Sequence, residues 1–169
     1  MKVLITGTPG SGKTAVAETL QGMGCTSFDG EKVPELVRLE IKATGEPAEW
    51  PTGFVDWNYY AWNIKREPLE ALLAKDENVF VGLSGTNLTT FFPLFDKIIA
   101  LSVKDEILGE RLRARKTHEF GQIEADVQRT MAINFERTAS YVAEGAVVIE
   151  NTGTIEMTAN AILAMCRDT

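Results

Sequence analysis

The segment Gly7-Thr8-Pro9-Gly10-Ser11-Gly12-Lys13-Thr14 constrains this chain more than any other, because of where it stands. The apolar run Val3, Leu4, Ile5 leads directly into it, and Ala15, Val16, Ala17 and Leu20 follow at helical spacing. Glycine, four residues, glycine, lysine and a hydroxyl residue between a strand and a helix form a phosphate-cradling loop. Glycines let the backbone take positive φ angles, so that its amides approach phosphate oxygens closely. Those amides build an anion nest at the positive end of the helix that follows. Lys13 is placed to reach the β and γ phosphates, and Thr14 offers its hydroxyl to Mg²⁺. The pattern therefore predicts a nucleoside triphosphate, MgATP, in contact with Thr8, Pro9, Gly10, Ser11, Gly12, Lys13, Thr14 and Ala15. A glycine-rich turn without a ligand is the competing reading, and the strand and helix that flank the segment disfavour it.

Alternation of strand and helix signals continues along the chain. Thr26–Asp29, Asn78–Leu83, Lys97–Val103 and Ala146–Glu150 are short apolar runs of strand length. Lys104–Arg115, Ile123–Ala143 and Thr154–Met165 read as helices, with Thr154 a candidate cap. Val33, Leu36, Val37 and Ile41 recur at three- and four-residue steps and predict a helix over Glu31–Thr44, stopped by Gly45 and Pro47. Val55–Lys75 carries apolar and aromatic residues at helical spacing, with Pro68 expected to kink or divide it. Strands that are apolar on both faces suit a sheet covered on both sides. The expectation is an α/β, doubly wound, three-layer sandwich around a parallel sheet.

With 169 residues and 44% hydrophobic content, the chain suits one domain. Its net charge of -7 opposes a nucleic-acid partner. No run approaches the ~18 apolar residues of a membrane span, and Met1-Lys2 leads into too short an apolar run for a secretion signal. A cytoplasmic protein without membrane or nucleic-acid partners is expected. Cys25, Cys166 and the single His118 supply neither a disulfide framework nor a four-ligand metal site, and buried thiols are the plainer reading.

The second half chooses among nucleotide-binding classes. The run Val79–Leu83 continues into Ser84-Gly85-Thr86-Asn87 without the acidic pair of a motor ATPase, and no Asn-Lys-x-Asp segment for reading guanine is present. The segments GTPGSGKT (7–14), the Asp29 strand end, VFVGLSGTN (79–87), FDKIIALSVKDEILGERLRAR (95–115) and KTHEFG (116–121) resemble the adenylate-kinase-like small P-loop kinases. That superfamily includes adenylate, shikimate and gluconate kinases, and the resemblance is strongest to bacterial members labelled only as ATP-binding or AAA-type. It implies a five-stranded parallel sheet, an acceptor-binding insertion over residues 30–75 and a short lid over residues 115–122. It also implies a group at the end of the second strand, Asp29, that orients or deprotonates the acceptor or holds Mg²⁺. Glu31 is able to do the same, and an Asp29 that merely caps the next turn is the competing reading. Arg111 and Arg115, four residues apart, share a helical face from which they can reach phosphates, while Arg113 lies on another. A solvated basic helix end is the alternative. Asn151-Thr152-Gly153 follows the last strand, where relatives run past the adenine ring; an ordinary turn competes. Ser84 and Asn87 depart from the adenylate-kinase pattern towards the gluconate-kinase branch, which weakens a nucleoside monophosphate as acceptor.

Trp50, Trp57, Tyr59, Tyr60 and Trp62 crowd the presumed insertion, and all three tryptophans of the chain lie there. They are able to line an acceptor, although core packing should claim most of them. Arg38, Lys65 or Arg66 could meet an anionic acceptor, with surface solvation the plainer fate of each, and solvent exposure is the plainer reading of His118 in the presumed lid. The reading is a monomeric or homodimeric ATP-dependent kinase for a small hydroxyl- or phosphate-bearing acceptor, worked by Lys13, Asp29 and Arg111 or Arg115. An ATPase or nucleotide-sensing module without an acceptor is the main rival, and a catalytically silent nucleotide-binding partner protein the second.

Overall fold

The computed structural model describes residues 1–115 and 123–167. Strand β1 (Lys2–Thr6) runs through the middle of the molecule, with Val3, Leu4 and Ile5 wholly buried. Helix α1 (Lys13–Gly22) follows, then the short β2 (Ser27–Asp29). A 3-10 turn (Gly30–Lys32) leads to β3 (Val37–Ile41) and β4 (Tyr60–Ile64), and α2 (Arg66–Leu73) returns the chain to the core. Then come β5 (Val79–Gly82), a 3-10 segment (Leu88–Leu94), β6 (Lys97–Ser102), α3 (Asp105–Arg113), α4 (Glu124–Ala143), β7 (Val147–Glu150) and α5 (Ile155–Arg167).

Five strands form one sheet in the order β2-β5-β1-β6-β7, and every neighbouring pair is parallel. Parallel strands need crossovers, so both faces are covered. Val16 and Leu20 of α1 and Ala159 and Ile162 of α5 pack on Val3, Ile5, Ile99 and Leu101. On the other face Leu69, Leu72 and Leu73 of α2, Phe91 and Phe92 of the 3-10 segment, and Tyr141 of α4 close over Leu4, Val79, Val81 and Ala100. Cys25 and Cys166 are half-buried free thiols at the edge of the first cluster. The α/β, three-layer expectation is met. No helix among the described residues is long and apolar enough to cross a membrane.

Two predicted helices are corrected. Glu31–Thr44 is not helical: Glu35 takes a left-handed φ of 61°, and Val37–Ile41 pairs antiparallel with β4, register Val37 to Ile64, Leu39 to Trp62 and Ile41 to Tyr60. The same apolar residues fit both periods, and a partner strand distant in sequence decided for the period of two. Within Val55–Lys75 only Arg66–Leu73 is helical. Pro68 sits in the first turn of α2, where an amide has no intrahelical acceptor to lose, so it starts the helix instead of kinking it. The 3-10 segment Leu88–Leu94 carried no periodic signal. Residues 116–122, with His118 and nearly all of the expected lid, lie outside the described residues.

Candidate active site

The phosphate loop lies at the carboxyl ends of the central strands. Gly10 and Gly12 take positive φ of 84° and 99°, and a Cβ on Gly12 would stand 2.4 Å from Asn151 Nδ2, so glycine is required there on two counts. Asn151, fully buried after β7, donates to the Ser11 carbonyl at 2.7 Å and accepts from Thr158 Oγ1 at 2.7 Å. Thr8 Oγ1 donates to Asn134 Oδ1 at 2.8 Å, and Asn134 in turn donates to the Val103 carbonyl and to Asp105. Two buried asparagines therefore clamp the loop, one from each side. Local sequence gave no sign of Asn134, whose role depends on α4 docking.

Lys13 folds back over the loop, its Nζ donating to the carbonyls of Gly7 at 3.0 Å and Thr8 at 3.2 Å. Burial pushes its ammonium below the ordinary lysine range; Glu31 and Asp29 oppose that shift, while Arg115 and Arg137 add to it. Arg111 donates through Nη2 to the Asn151 carbonyl at 3.0 Å, and its Nη1 is buried without a partner among the described residues. A buried guanidinium nitrogen beside Gly12 lacks an acceptor that a phosphate oxygen would supply. Arg113 is instead paired with Glu124 at 2.6 Å, on the outer face.

A cavity of about 320 Å³ opens over the loop. Its wall joins Pro9, Gly10, Gly12, Lys13, Thr14, Ala15, Arg111 and Arg115 to Glu31, Ser84, Trp50, Trp57 and Trp62. Thr8 and Ser11 lie behind that wall, wholly buried. Asp29 is also off the wall: its carboxylate accepts from the Glu31 amide at 3.2 Å and caps the 3-10 turn. Glu31 accepts from Ser84 Oγ at 2.8 Å, so the carboxylate on the wall belongs to the neighbour of the predicted residue. Thr152 is exposed and donates to Glu150 at 3.1 Å, away from the cavity.

The tryptophans are brought to the cavity by β3, β4 and the segment between them. Trp50 meets Trp57 and Trp62 edge to face, with ring centroids 6.4 Å and 5.7 Å apart. The Ser84–Asn87 loop fixes the height of β4: the Thr86 amide donates to the Trp62 carbonyl at 2.7 Å, and Asn87 both donates to and accepts from the backbone of Ile64. Three cations considered for an acceptor are occupied otherwise. Arg38 and Lys65 hold the buried Glu40, and Arg66 pairs with Glu70 at 2.9 Å. Burial alone would raise Glu40, yet hydrogen bonds from Lys65, Asn63 and Arg38 hold it down to about 2.

A family model described as an AAA domain matches residues 3–132, which is most of the chain. The chain belongs to this AAA domain family. Comparison with curated proteins gives no match. Among solved structures, this AAA domain chain is similar to shikimate kinase from Acinetobacter baumannii in complex with shikimate. The TM-score is 0.63 at 16% identity, covering 99% of this chain and 93% of the other. Deoxyadenosine kinase from M. mycoides with bound dATP gives a TM-score of 0.57 at 16% identity, covering 99% and 100%. A gluconokinase from Sinorhizobium meliloti 1021 gives 0.51 at 20% identity, covering 96% and 89%. At such identities the likeness establishes the shared fold of the AAA domain chain.

Proposed function

We propose that this protein is a kinase that binds MgATP and transfers the γ-phosphoryl group to a small acceptor in the tryptophan-walled part of the cavity. The observation that carries this reading is one wall holding both halves of the chemistry: Lys13, Arg111 and Arg115 on one side, Glu31 and Ser84 on the other. Phosphoryl transfer needs positioning and cations at the equatorial oxygens more than covalent help from the protein. The acceptor hydroxyl oxygen attacks the γ-phosphorus, the bond to the β–γ bridging oxygen breaks, and ADP leaves with the electron pair. Glu31, supported by Ser84, takes the hydroxyl proton and passes it to solvent. Lys13 exchanges its two carbonyl acceptors for phosphate oxygens, and Arg111 Nη1 gains the partner that it lacks. Asn151 serves the site by holding the loop, with Thr152 outside it.

Mg²⁺ fits this wall through the Thr14 hydroxyl. Among the described residues no cluster of three or more acidic, histidine or cysteine side chains stands ready to cage a metal, which suits an ion held largely by phosphates and water. Bound there, it would neutralise charge on the β and γ oxygens. Asp29, engaged as a cap, would act on the ion only through water. A single cytoplasmic domain, monomeric or homodimeric and without nucleic-acid partners, completes the reading.

The test incubates the full chain with MgATP and a panel of nucleosides, nucleotides, sugar acids and cyclic hydroxy acids, followed by ³¹P NMR. A new phosphoester formed in step with ADP is the expected result. ADP and inorganic phosphate without any phosphoester across the panel would favour the ATPase or nucleotide-sensing alternative.

A further inference from the structure

Behind the tryptophans lies a second cavity of about 360 Å³ that also reaches the phosphate loop at Gly7 and Pro9. Trp57, Trp62 and Ser84 line both cavities, so they stand between them as a shared wall. Among the described residues, the charged ones lining the second cavity are Lys42, Arg129 and Arg137, and none is a carboxylate. That is a pronounced local excess in a chain of net charge -7. Lys42 donates to the Trp57 carbonyl, whereas neither Arg129 nor Arg137 forms an ion pair among the described residues. Glu136 lines an adjoining third cavity that shares Gly85, Thr86, Arg129, Ile133 and Arg137 with the second, and it forms no ion pair with either arginine among the described residues.

Resting on the kinase reading, we infer that the acceptor is an anion: a hydroxyl-bearing ring compound whose ring lies against Trp57 and Trp62 and whose carboxylate or phosphate is held by Arg129 and Arg137. Each part has its own physical reason. Indole faces offer large flat contact area to a ring, and they orient it without demanding particular polar groups. Two guanidiniums without a carboxylate present paired donors that match a planar or tetrahedral anion. That anion sits behind the tryptophans, in the space that meets the phosphate loop at Gly7 and Pro9, while a hydroxyl on the other end of the ring enters the first cavity beside Glu31. The first cavity does not call for a cationic acceptor, because Glu31 lines it together with Lys13, Arg111 and Arg115, and Glu18 is paired with Lys32. Residues on α4 complete the acceptor site, whereas the sequence offered Arg38, Lys65 or Arg66 only beside the plainer reading of surface solvation.

The experiment is calorimetric titration of the full chain with its phosphate loop filled by MgAMP-PNP. One arm compares 4-hydroxybenzoate with 4-hydroxybenzamide, the other uridine 5′-monophosphate with uridine, so that carboxylate and phosphate sources are separated. In at least one arm the anion is expected to bind about tenfold or more tightly than its neutral partner. In the Arg129→Gln, Arg137→Gln double variant that preference is expected to fall to within about threefold, with a thermal midpoint close to the parent's as the sign of folding. No preference for the anion in either arm overturns the inference, as does a preference that survives in the folded double variant. A double variant that loses MgAMP-PNP affinity more than anion affinity overturns it too, by assigning these arginines to the nucleotide. Failure of MgAMP-PNP itself to bind is a different result: it removes the kinase reading and this inference with it. If the double variant does not fold, the single variant Arg129→Lys replaces it, and an undiminished preference there overturns the fork-like recognition.

Discussion

The phosphate loop and the β3–β4 hairpin face each other across one cavity, yet they are built by opposite means. The loop takes its shape from contiguous residues, with positive-φ glycines and a helix start, and is then clamped by buried asparagines. The hairpin has no turn of fixed type, and long-range contacts hold it: Thr86 and Asn87 along β4, and Arg38, Asn63 and Lys65 around Glu40. A site for a constant ligand can be encoded locally, because the phosphate tail always makes the same demands. A wall for a particular acceptor depends on which distant elements dock behind it.

Mutations can separate the two halves. Lys13→Ala removes the ammonium at the phosphates and should lower turnover about 10³-fold, with loss of the ATP-dependent rise in melting temperature. Retained ATP stabilisation would detach the loop from nucleotide binding altogether. Glu31→Gln should lower kcat by about 10²-fold or more while the KM for ATP changes little. Asp29→Asn preserves the cap and should stay near the parent. Equal losses in both variants would return the proton-accepting role to Asp29.

Effects on stability are smaller. Asn151→Ala leaves the Ser11 carbonyl and the Thr158 hydroxyl buried without their partner and should cost about 1–3 kcal/mol in urea unfolding. A neutral result would mean that the loop holds itself. Glu40 tests the hairpin. Its folded value near 2 lies below that of an unfolded carboxyl, so its stabilisation is fully present above about pH 4.5 and is lost as pH falls towards 2. The stability gap between parent and Glu40→Gln should therefore be flat at neutral pH and close across that acidic window. A gap that stays constant down to pH 2 would show that charge on Glu40 does not hold the hairpin.

Reading the sequence placed side chains well where spacing along one helix or loop carries the geometry. Arg111 and Arg115 share a face and both line the cavity, whereas Arg113 turns outward to Glu124. The reading was less informative at the end of β2, where two carboxylates stand two residues apart and only the 3-10 turn decides which one faces the cavity. It failed at residues 31–44, because Val33, Leu36, Val37 and Ile41 satisfy a helical period as well as Val37, Leu39 and Ile41 satisfy that of a strand. Arg129 and Arg137 on α4 gave no signal, since basic residues on an amphipathic helix read as a solvated face.

By itself the sequence determined the phosphate loop, the alternation of strands and helices and the position of the basic face of α3, because each follows from chain-local stereochemistry and periodicity. Only the tertiary structure decided that residues 37–64 form a tryptophan-bearing hairpin, that Glu31 and not Asp29 reaches the first cavity, and that α4 brings two arginines to the second. Those outcomes depend on which distant surfaces gain most by being buried against one another, and no local pattern contains that sum.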